Sequence, residues 1–221
     1  MADLQKEFWE SERVFKRRHP SHPVIEAFAV PKIKQILDIM MLKGERLNTN
    51  DLTMLEAGAG NGYFSYYLSN FFELTCLDFS RNILSINPAD NKIVASATHI
   101  PFKNRSFKIV FCANLLHHIN DPLIVINEMI RVSSRYIVII EPNRNNPLML
   151  MLSALSKEER LVSKYTGKYL ETLLQNRVKI LWKGTSGFIL PNKTPKLLLS
   201  LLKRVEPFLY PKFYNVVIAE K

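Results

Sequence analysis

The sequence predicts an α/β protein: a doubly wound, mostly parallel sheet of seven strands with helices on both faces. Three observations carry this. Short apolar runs alternate with segments of helical period from residue 52 to residue 142, the order produced by parallel pairing through right-handed crossovers. The runs are almost continuously apolar, as in FKIVFCAN, so both faces of their sheet are covered. The turn after the first run is glycine-rich, LEAGAGNGYFSYYL, with Gly58, Gly60 and Gly62 at alternate positions.

The elements follow in order. PVIEAFAVPKIKQILDIMM has apolar residues at near-helical spacing and predicts a helix, interrupted by Pro31. DLTMLEA is a buried strand stopped by glycine, and GYFSYYLSNFF is the helix after it. ELTCLD is the second strand, and SRNILSI a short helix with Ser80 as N-cap. NKIVAS and FKIVFCAN are the third and fourth strands. DPLIVINEMIRV is a helix with Asp121 as N-cap and Pro122 in its first turn, and RYIVIIEP is the fifth strand. Beyond it, NPLMLMLSALSKEERLVSKYTGKYLETLLQ reads as helical and rich in Leu and Met. RVKILWKG is a strand, TPKLLLSLLKRVEPFL a helix with Thr194 as N-cap, and KFYNVVIAEK a closing strand.

A chain of 221 residues, 47% hydrophobic, supports one sizeable core, so a single domain over 1–221 is expected. Its parts are an N-terminal helical cap (1–50), a ligand-binding core (51–142), and a substrate cap with closing strands (143–221). No apolar run reaches the roughly 18–20 residues of a spanning helix. The start, MADLQKEFWE, lacks the apolar core of a signal peptide, so a cytoplasmic protein is expected. Cys76 and Cys112 each lie in an apolar run and read as buried free thiols.

The net charge of +10 is uneven: residues 142–221 hold 14 basic and 5 acidic side chains, a balance of +9. That favours an anionic substrate, a nucleic acid or an acidic membrane surface, unless it is only a solvated face.

The glycine turn narrows the ligand. A dinucleotide fingerprint would place its third glycine at position 63, which is Tyr63. No Gly-Lys-Ser/Thr follows, which excludes a phosphate-cradling Walker loop. Glu56, two residues before Gly58, would repel a pyrophosphate. The turn suits a ligand with a cationic head and no phosphate, and S-adenosylmethionine (SAM) is such a ligand. Asp78 ends the second strand, 22 residues after Glu56, where a carboxylate can accept two hydrogen bonds from a ribose diol.

From Leu52 to Pro142 the sequence resembles the class I SAM-dependent methyltransferases of Rossmann-like fold, and most closely the small-molecule branch that includes the ubiquinone and menaquinone methyltransferase relatives. The resemblance implies that Glu56, Gly58, Gly60 and Gly62 hold the methionine end of SAM, that Asp78 meets the ribose, and that Phe79 packs on the adenine. ASATHIPF resembles the family's DAxxLPF stretch. Ser96, followed by Ala97, stands where the family often places an Asp, which implies a weaker or differently shared adenine contact. FKIVFCANLLHHINDP resembles FDLVxxxxxLHHxxDP, so Asn114 and Leu115 would border the sulfur and His117 and His118 the substrate entrance.

The implied reaction is in-line transfer of the SAM methyl group to a nucleophile, with S-adenosylhomocysteine (SAH) as product. Alignment alone can supply roughly 7–11 kcal/mol of such a barrier. His118 is the first candidate base and Glu141 the second. Arg18 and His22 of the basic segment VFKRRHPSHPVIEAF, together with His117, are candidates for substrate binding. The Leu/Met-rich segment after the fifth strand reads as an apolar cap with adaptable Met side chains, or as a core helix. The expected acceptor is a small molecule or lipid-like compound, plausibly anionic, with peripheral membrane contact. Two alternatives stand beside this reading. RNA methylation is permitted by the pI of about 9.6, but the chain shows no RNA-binding module and no Asn/Asp-Pro-Pro-Tyr/Phe motif. A non-catalytic SAM-binding regulatory subunit is the other. No metal is expected, since no further His or Cys stands at zinc-like spacing from the histidine pair.

Overall fold

The computed structural model describes residues 9–11, 15–42, 52–155 and 157–221. Residues 1–8, 12–14 and 43–50 of the expected N-terminal cap, and Asp51 of the expected first strand, lie outside the described residues. The strands are β1 (Thr53–Ala57), β2 (Glu73–Asp78), β3 (Asn91–Val94), β4 (Phe107–Ala113), β5 (Ser133–Pro142), β6 (Lys179–Ser186) and β7 (Tyr214–Glu220). The helices are α1 (Pro23–Leu42), α2 (Ser65–Leu68), α3 (Arg81–Ser85), α4 (Pro122–Val132), α5 (Pro147–Ala154), α6 (Gly167–Leu174) and α7 (Leu199–Val205).

All seven strands form one sheet in the order β3-β2-β1-β4-β5-β7-β6. β1 to β5 pair in parallel, and β7 runs antiparallel between β5 and β6. The chain steps outward from β1 to β3, then restarts on the other side of β1 with β4. That reversal opens a crevice at the carboxyl ends of β1 and β4.

Side-chain alternation along each strand feeds two apolar layers. On β5, Tyr136, Val138 and Ile140 pack with α1 on one face, where Val24, Phe28 and Ile33 are buried. Ile137 and Ile139 pack on the other with Val125 and Met129 of α4 and Leu170 and Leu174 of α6. This is why the strands read as continuous apolar runs. Cys76 and Cys112 are buried free thiols.

Local capping agrees with the sequence in two places. Ser80 accepts a hydrogen bond from the Ile83 N–H at 3.3 Å, and Asp121 from the Leu123 N–H at 3.1 Å. Four elements differ. Pro31 does not split the first helix, because α1 continues for 20 residues with Pro31 on its solvent side. Buried Val24, Ile25 and Phe28 before it and Ile33, Ile36 and Met40 after it lie on one packed face, which outweighs a proline cost of about 3 kcal/mol. The helix expected over 62–72 shrinks to the four residues of α2, since Gly62 is still in a turn conformation at φ +87°. The long helical segment breaks into α5, a 3₁₀ stretch over Lys157–Lys164, and α6, whose cap Thr166 accepts from the Tyr169 N–H. Thr194 is not an N-cap. Its hydroxyl accepts from the Leu190 N–H at 2.9 Å and closes its own loop, and the chain enters the following 3₁₀ turn at Pro195.

Lys32 is buried on α1, with Nζ donating to the Phe28 carbonyl at 2.7 Å and lying over the Phe28 and Tyr214 rings at 4.1 and 4.6 Å. Burial lowers its pKa from the ordinary 10.5 to about 7, while the two rings favour the ammonium and soften that cost. Between these two values the unfolded chain binds more protons than the folded one, so this group makes stability rise with pH. Its full penalty is present below about pH 7. Lys32→Met should therefore raise stability by roughly 1–4 kcal/mol near pH 6, and by less near pH 10, in thermal unfolding. A lower melting temperature for the variant at the acid end would show that Lys32 stabilises the fold as an ammonium.

Candidate functional site

A cavity of about 480 Å³ occupies the crevice at the carboxyl ends of β1, β2 and β4. Gly58 and Gly60 line it from the turn after β1, Asp78 and Phe79 from the end of β2, Ser96 and Ala97 from the loop after β3, and Asn114 and Leu115 from the end of β4. The turn needs glycine for two reasons. Gly58 has φ +71°, and a Cβ there would lie 2.7 Å from Leu115 Cδ1. Gly62 has φ +87°, and its Cβ would lie 2.5 Å from Pro88 Cδ. The turn is tied to β2 by the Gly58 and Ala59 N–H groups, which donate to the Leu77 carbonyl at 2.8 and 3.0 Å.

Asp78 is 7% exposed. Its Oδ2 accepts from the Gly60 N–H at 2.9 Å and its Oδ1 from the Ser80 N–H at 3.0 Å. Burial raises its pKa, and these backbone donors offset the shift only in part. The Phe79 N–H also donates to the Asp78 carboxylate. A carboxylate has about four acceptor positions, so capacity remains for donors from the cavity. A ribose diol supplies such donors, and the exposed Phe79 ring beside it offers an apolar surface for a base. The Ser96 hydroxyl is already shared with Thr98 Oγ1 at 2.7 Å.

Glu56 differs from expectation. It is 2% exposed, does not line the cavity, and accepts from Ser65 Oγ at 2.6 Å behind the glycine turn. Burial pushes its pKa up to about 8. Asn87 extends this buried cluster, donating to Ser65 Oγ and to the Gly60 carbonyl. Gly62 also stays behind the cavity wall.

A second, inner pocket of about 200 Å³ shares Trp9, Asn114 and His118 with the first. Its other walls include Arg17, Tyr63, His117, Met149, Leu152, Glu159 and Lys193. Asn114 sits at φ +53°, which turns the chain sharply from β4 into the 3₁₀ turn Leu116–His118. Glu141, fully buried at the end of β5, holds that turn. Its Oε1 accepts from the Leu115 and Leu116 N–H groups at 2.9 and 2.7 Å, and its Oε2 lies 2.6 Å from His117 Nδ1. The other ring nitrogen, Nε2, lies 3.0 Å from a Glu159 carboxylate oxygen. Burial alone would lower the His117 pKa, but these two carboxylates raise it to about 10. His117 is therefore an imidazolium held between two acids near neutral pH. Glu159 falls to about 2, against the opposing effect of its own burial, because it faces His117 and His118.

Of the candidate bases, His118 lines both cavities, whereas Glu141 lines neither and has both oxygens occupied. Of the three substrate-binding candidates, only His117 reaches the inner pocket. Arg18 instead ties two loops, donating to the Pro191 and Thr194 carbonyls at 2.9 and 2.8 Å. His22 accepts from the Val24 N–H at the start of α1. Arg17, the neighbour of Arg18, lies 4.5 Å over the Trp9 ring and on the pocket wall. Trp9, Tyr63 and Glu159 were not legible as site residues, since no motif or spacing joins residues 9, 63 and 159 to residue 118.

Residues 55–135, which supply most of the walls of the larger cavity, match the family described as methyltransferase domain. Among curated proteins, the uncharacterized protein MJ0638 of Methanocaldococcus jannaschii is 36% identical over 106 residues, which is 48% of this chain and 45% of that protein. The chain thus matches less than half the length of this relative. Among solved structures, the plantazolicin methyltransferase BamL, in complex with a triazolic desmethylPZN analog and SAH, has TM-score 0.67 at 21% identity, covering 99% of this chain and 95% of that one. Magnesium protoporphyrin IX methyltransferase from Synechocystis PCC 6803, with bound SAM, has TM-score 0.63 at 12% identity, covering 100% and 96%. A SAM-dependent methyltransferase from Archaeoglobus fulgidus has TM-score 0.57 at 13% identity, covering 85% and 94%. At these identities the likeness is one of fold, and the fold is that of the class I, SAM-dependent methyltransferases.

The position of Glu56 behind the glycine turn gives a sharp test. A side chain that only braces Ser65 can be replaced by its neutral isostere, so Glu56→Gln should leave SAH affinity within about threefold in calorimetry. A loss of about tenfold or more would mean that the carboxylate meets the ligand's ammonium directly.

Proposed function

We propose that the protein transfers the methyl group of SAM to a small-molecule acceptor, lipid-like and anionic, seated in the inner pocket. The observation that carries this reading is the shared wall. One cavity offers a buried carboxylate with open acceptor positions beside a glycine turn, and His118 alone of the candidate bases faces both that cavity and its neighbour. The Leu116-His117-His118 segment is also the residue-level support for placing the chain near the ubiquinone and menaquinone branch.

The groups divide as follows. Asp78 holds the ribose, the bared backbone of Gly58 and Gly60 accepts the amino-acid end, Phe79, Ser96 and Ala97 border the adenine, and Asn114 and Leu115 border the sulfur. When bound, SAM supplies an electrophilic methyl group. His118 accepts the proton that the acceptor's nucleophile gives up, a contribution of about 10²–10⁴-fold where the nucleophile arrives protonated. Glu141 and His117 are positioning residues, since they hold the turn that carries His118. Arg17 and Lys193 favour an acidic group on the acceptor, and Met149 and Leu152 favour an apolar body. Residues 143–221 serve in this reading as the acceptor cap and closing strands of one domain.

Calorimetry of SAH binding is the first test. Wild type should bind, and Asp78→Asn should lose roughly 10²-fold through two weakened charge-assisted bonds. Absence of binding by the wild type sinks the proposal. Turnover with methyl-labelled SAM and lipid extract is the second. His118→Ala should lower it by about 10²-fold or more while SAH affinity stays within about threefold. Equal turnover by the variant removes His118 from the chemistry.

A further inference from the structure

The end of α5 and the stretch from 193 to 212 expose both apolar and cationic side chains. Met151 of α5 and Leu155 just after it are 54% and 79% exposed, Leu197 and Leu201 are 82% and 57% exposed, and Phe208 and Tyr210 are 87% and 83% exposed. These come from segments the structure ties together. Asn146, the cap of α5, donates to the Pro211 carbonyl, and Asn143 donates to the Lys212 carbonyl at 2.9 Å. Met149 and Leu152 of α5 and Leu190 to Lys193 line the inner pocket together. Lys193, Lys196, Lys203 and Arg204 are all exposed along the same stretch of chain. Between Thr172 and Ala219 the one acidic residue is Glu206, and its carboxylate faces Lys212 at 3.9 Å.

We propose that this face docks on an anionic lipid bilayer. Leu201, Phe208 and their neighbours enter the boundary between headgroups and acyl chains, and exposed Lys196, Lys203 and Arg204 meet lipid phosphates. Among the described residues no helix is long and apolar enough to cross a membrane, so the contact lies along the surface. The composition selects this occupant. A second copy of the chain would press cations against cations in a self-complementary contact. A nucleic acid would match the charge but leave Phe208 and Leu197 in water. An anionic bilayer satisfies both kinds of group at once.

The docked face also places the inner pocket beside the lipid, because Met149 and Leu152 line the pocket from the same helix whose Met151 is exposed. That the acceptor is drawn from the bilayer rests on the methyl-transfer reading above; the docking itself does not.

Flotation of the full chain with vesicles tests it. Wild type should bind phosphatidylcholine vesicles containing phosphatidylglycerol, should bind phosphatidylcholine alone far less, and should be released by high salt. Leu201→Glu with Phe208→Glu, and separately Lys203→Glu with Arg204→Glu, should each reduce binding by about tenfold or more while SAH affinity is unchanged. No binding to anionic vesicles at low salt, or equal binding by both double variants, overturns the proposal. So does gel filtration showing a wild-type dimer that Leu201→Glu with Phe208→Glu dissolves, since the face would then cover a second copy. Vesicle binding without SAH binding would keep the docking and remove the methyl-transfer reading; the converse would do the opposite.

Discussion

A carboxylate removed from water must be surrounded by donors, and the arrangement around Glu141 follows from that constraint. Two backbone N–H groups and one imidazole converge on it from the turn after β4. The chain cannot leave β4 along a different path without stranding the charge. The same bonds fix Leu115, whose side chain fills the space a Cβ on residue 58 would need. A buried acid on β5 thus reaches, through Leu115, the glycine turn after β1, and the ends of three strands are locked by one group.

Asp78 repeats the device on the other side of the crevice. It accepts from Gly60 in the first turn and from Ser80 at the start of α3, so β2, the glycine turn and that helix are set together. The two acids differ in what remains to them. Glu141 also spends its second oxygen on His117, and lines no cavity. Asp78 accepts from backbone donors alone and borders open space, which leaves acceptor capacity for a ligand. One carboxylate builds the site, and the other is available to work in it.

How much of this was legible in sequence depended on whether the signal was local. The parallel strands were legible because a sheet covered on both faces must be apolar at nearly every position. The glycine turn, Asp78 and the Asn114 to His118 stretch were legible because each is a short motif at a strand end. Glu56 shows the limit: a carboxylate beside a glycine turn can face a ligand or a serine, and only the position of Ser65 decides. Arg17 and Arg18 show it again. Adjacent cations point to a pocket and to a loop carbonyl respectively, a difference set by where Pro191 and Thr194 come to lie. Pro31 failed as a helix breaker for a tertiary reason, since the apolar face on either side of it is buried in the same layer.

Trp9 could not be anticipated at all, yet its attachment explains how the two cavities stay distinct. Its carbonyl accepts from the Ser80 hydroxyl at 2.7 Å, and the Glu10 carbonyl from the Asn82 side chain at 2.6 Å, so Trp9 and Glu10 form a strap fastened to α3. Its ring packs edge-on to His118 at 5.5 Å and beneath the Arg17 guanidinium. The Ser80 hydroxyl therefore caps α3 and holds the strap, while the Ser80 N–H is held by Asp78. A ligand that draws on Asp78 acts on the same short chain of bonds that seats Trp9 against His118. The larger cavity and the wall shared with the inner pocket are thus joined by a continuous run of contacts, from Asp78 through Ser80 and Trp9 to His118.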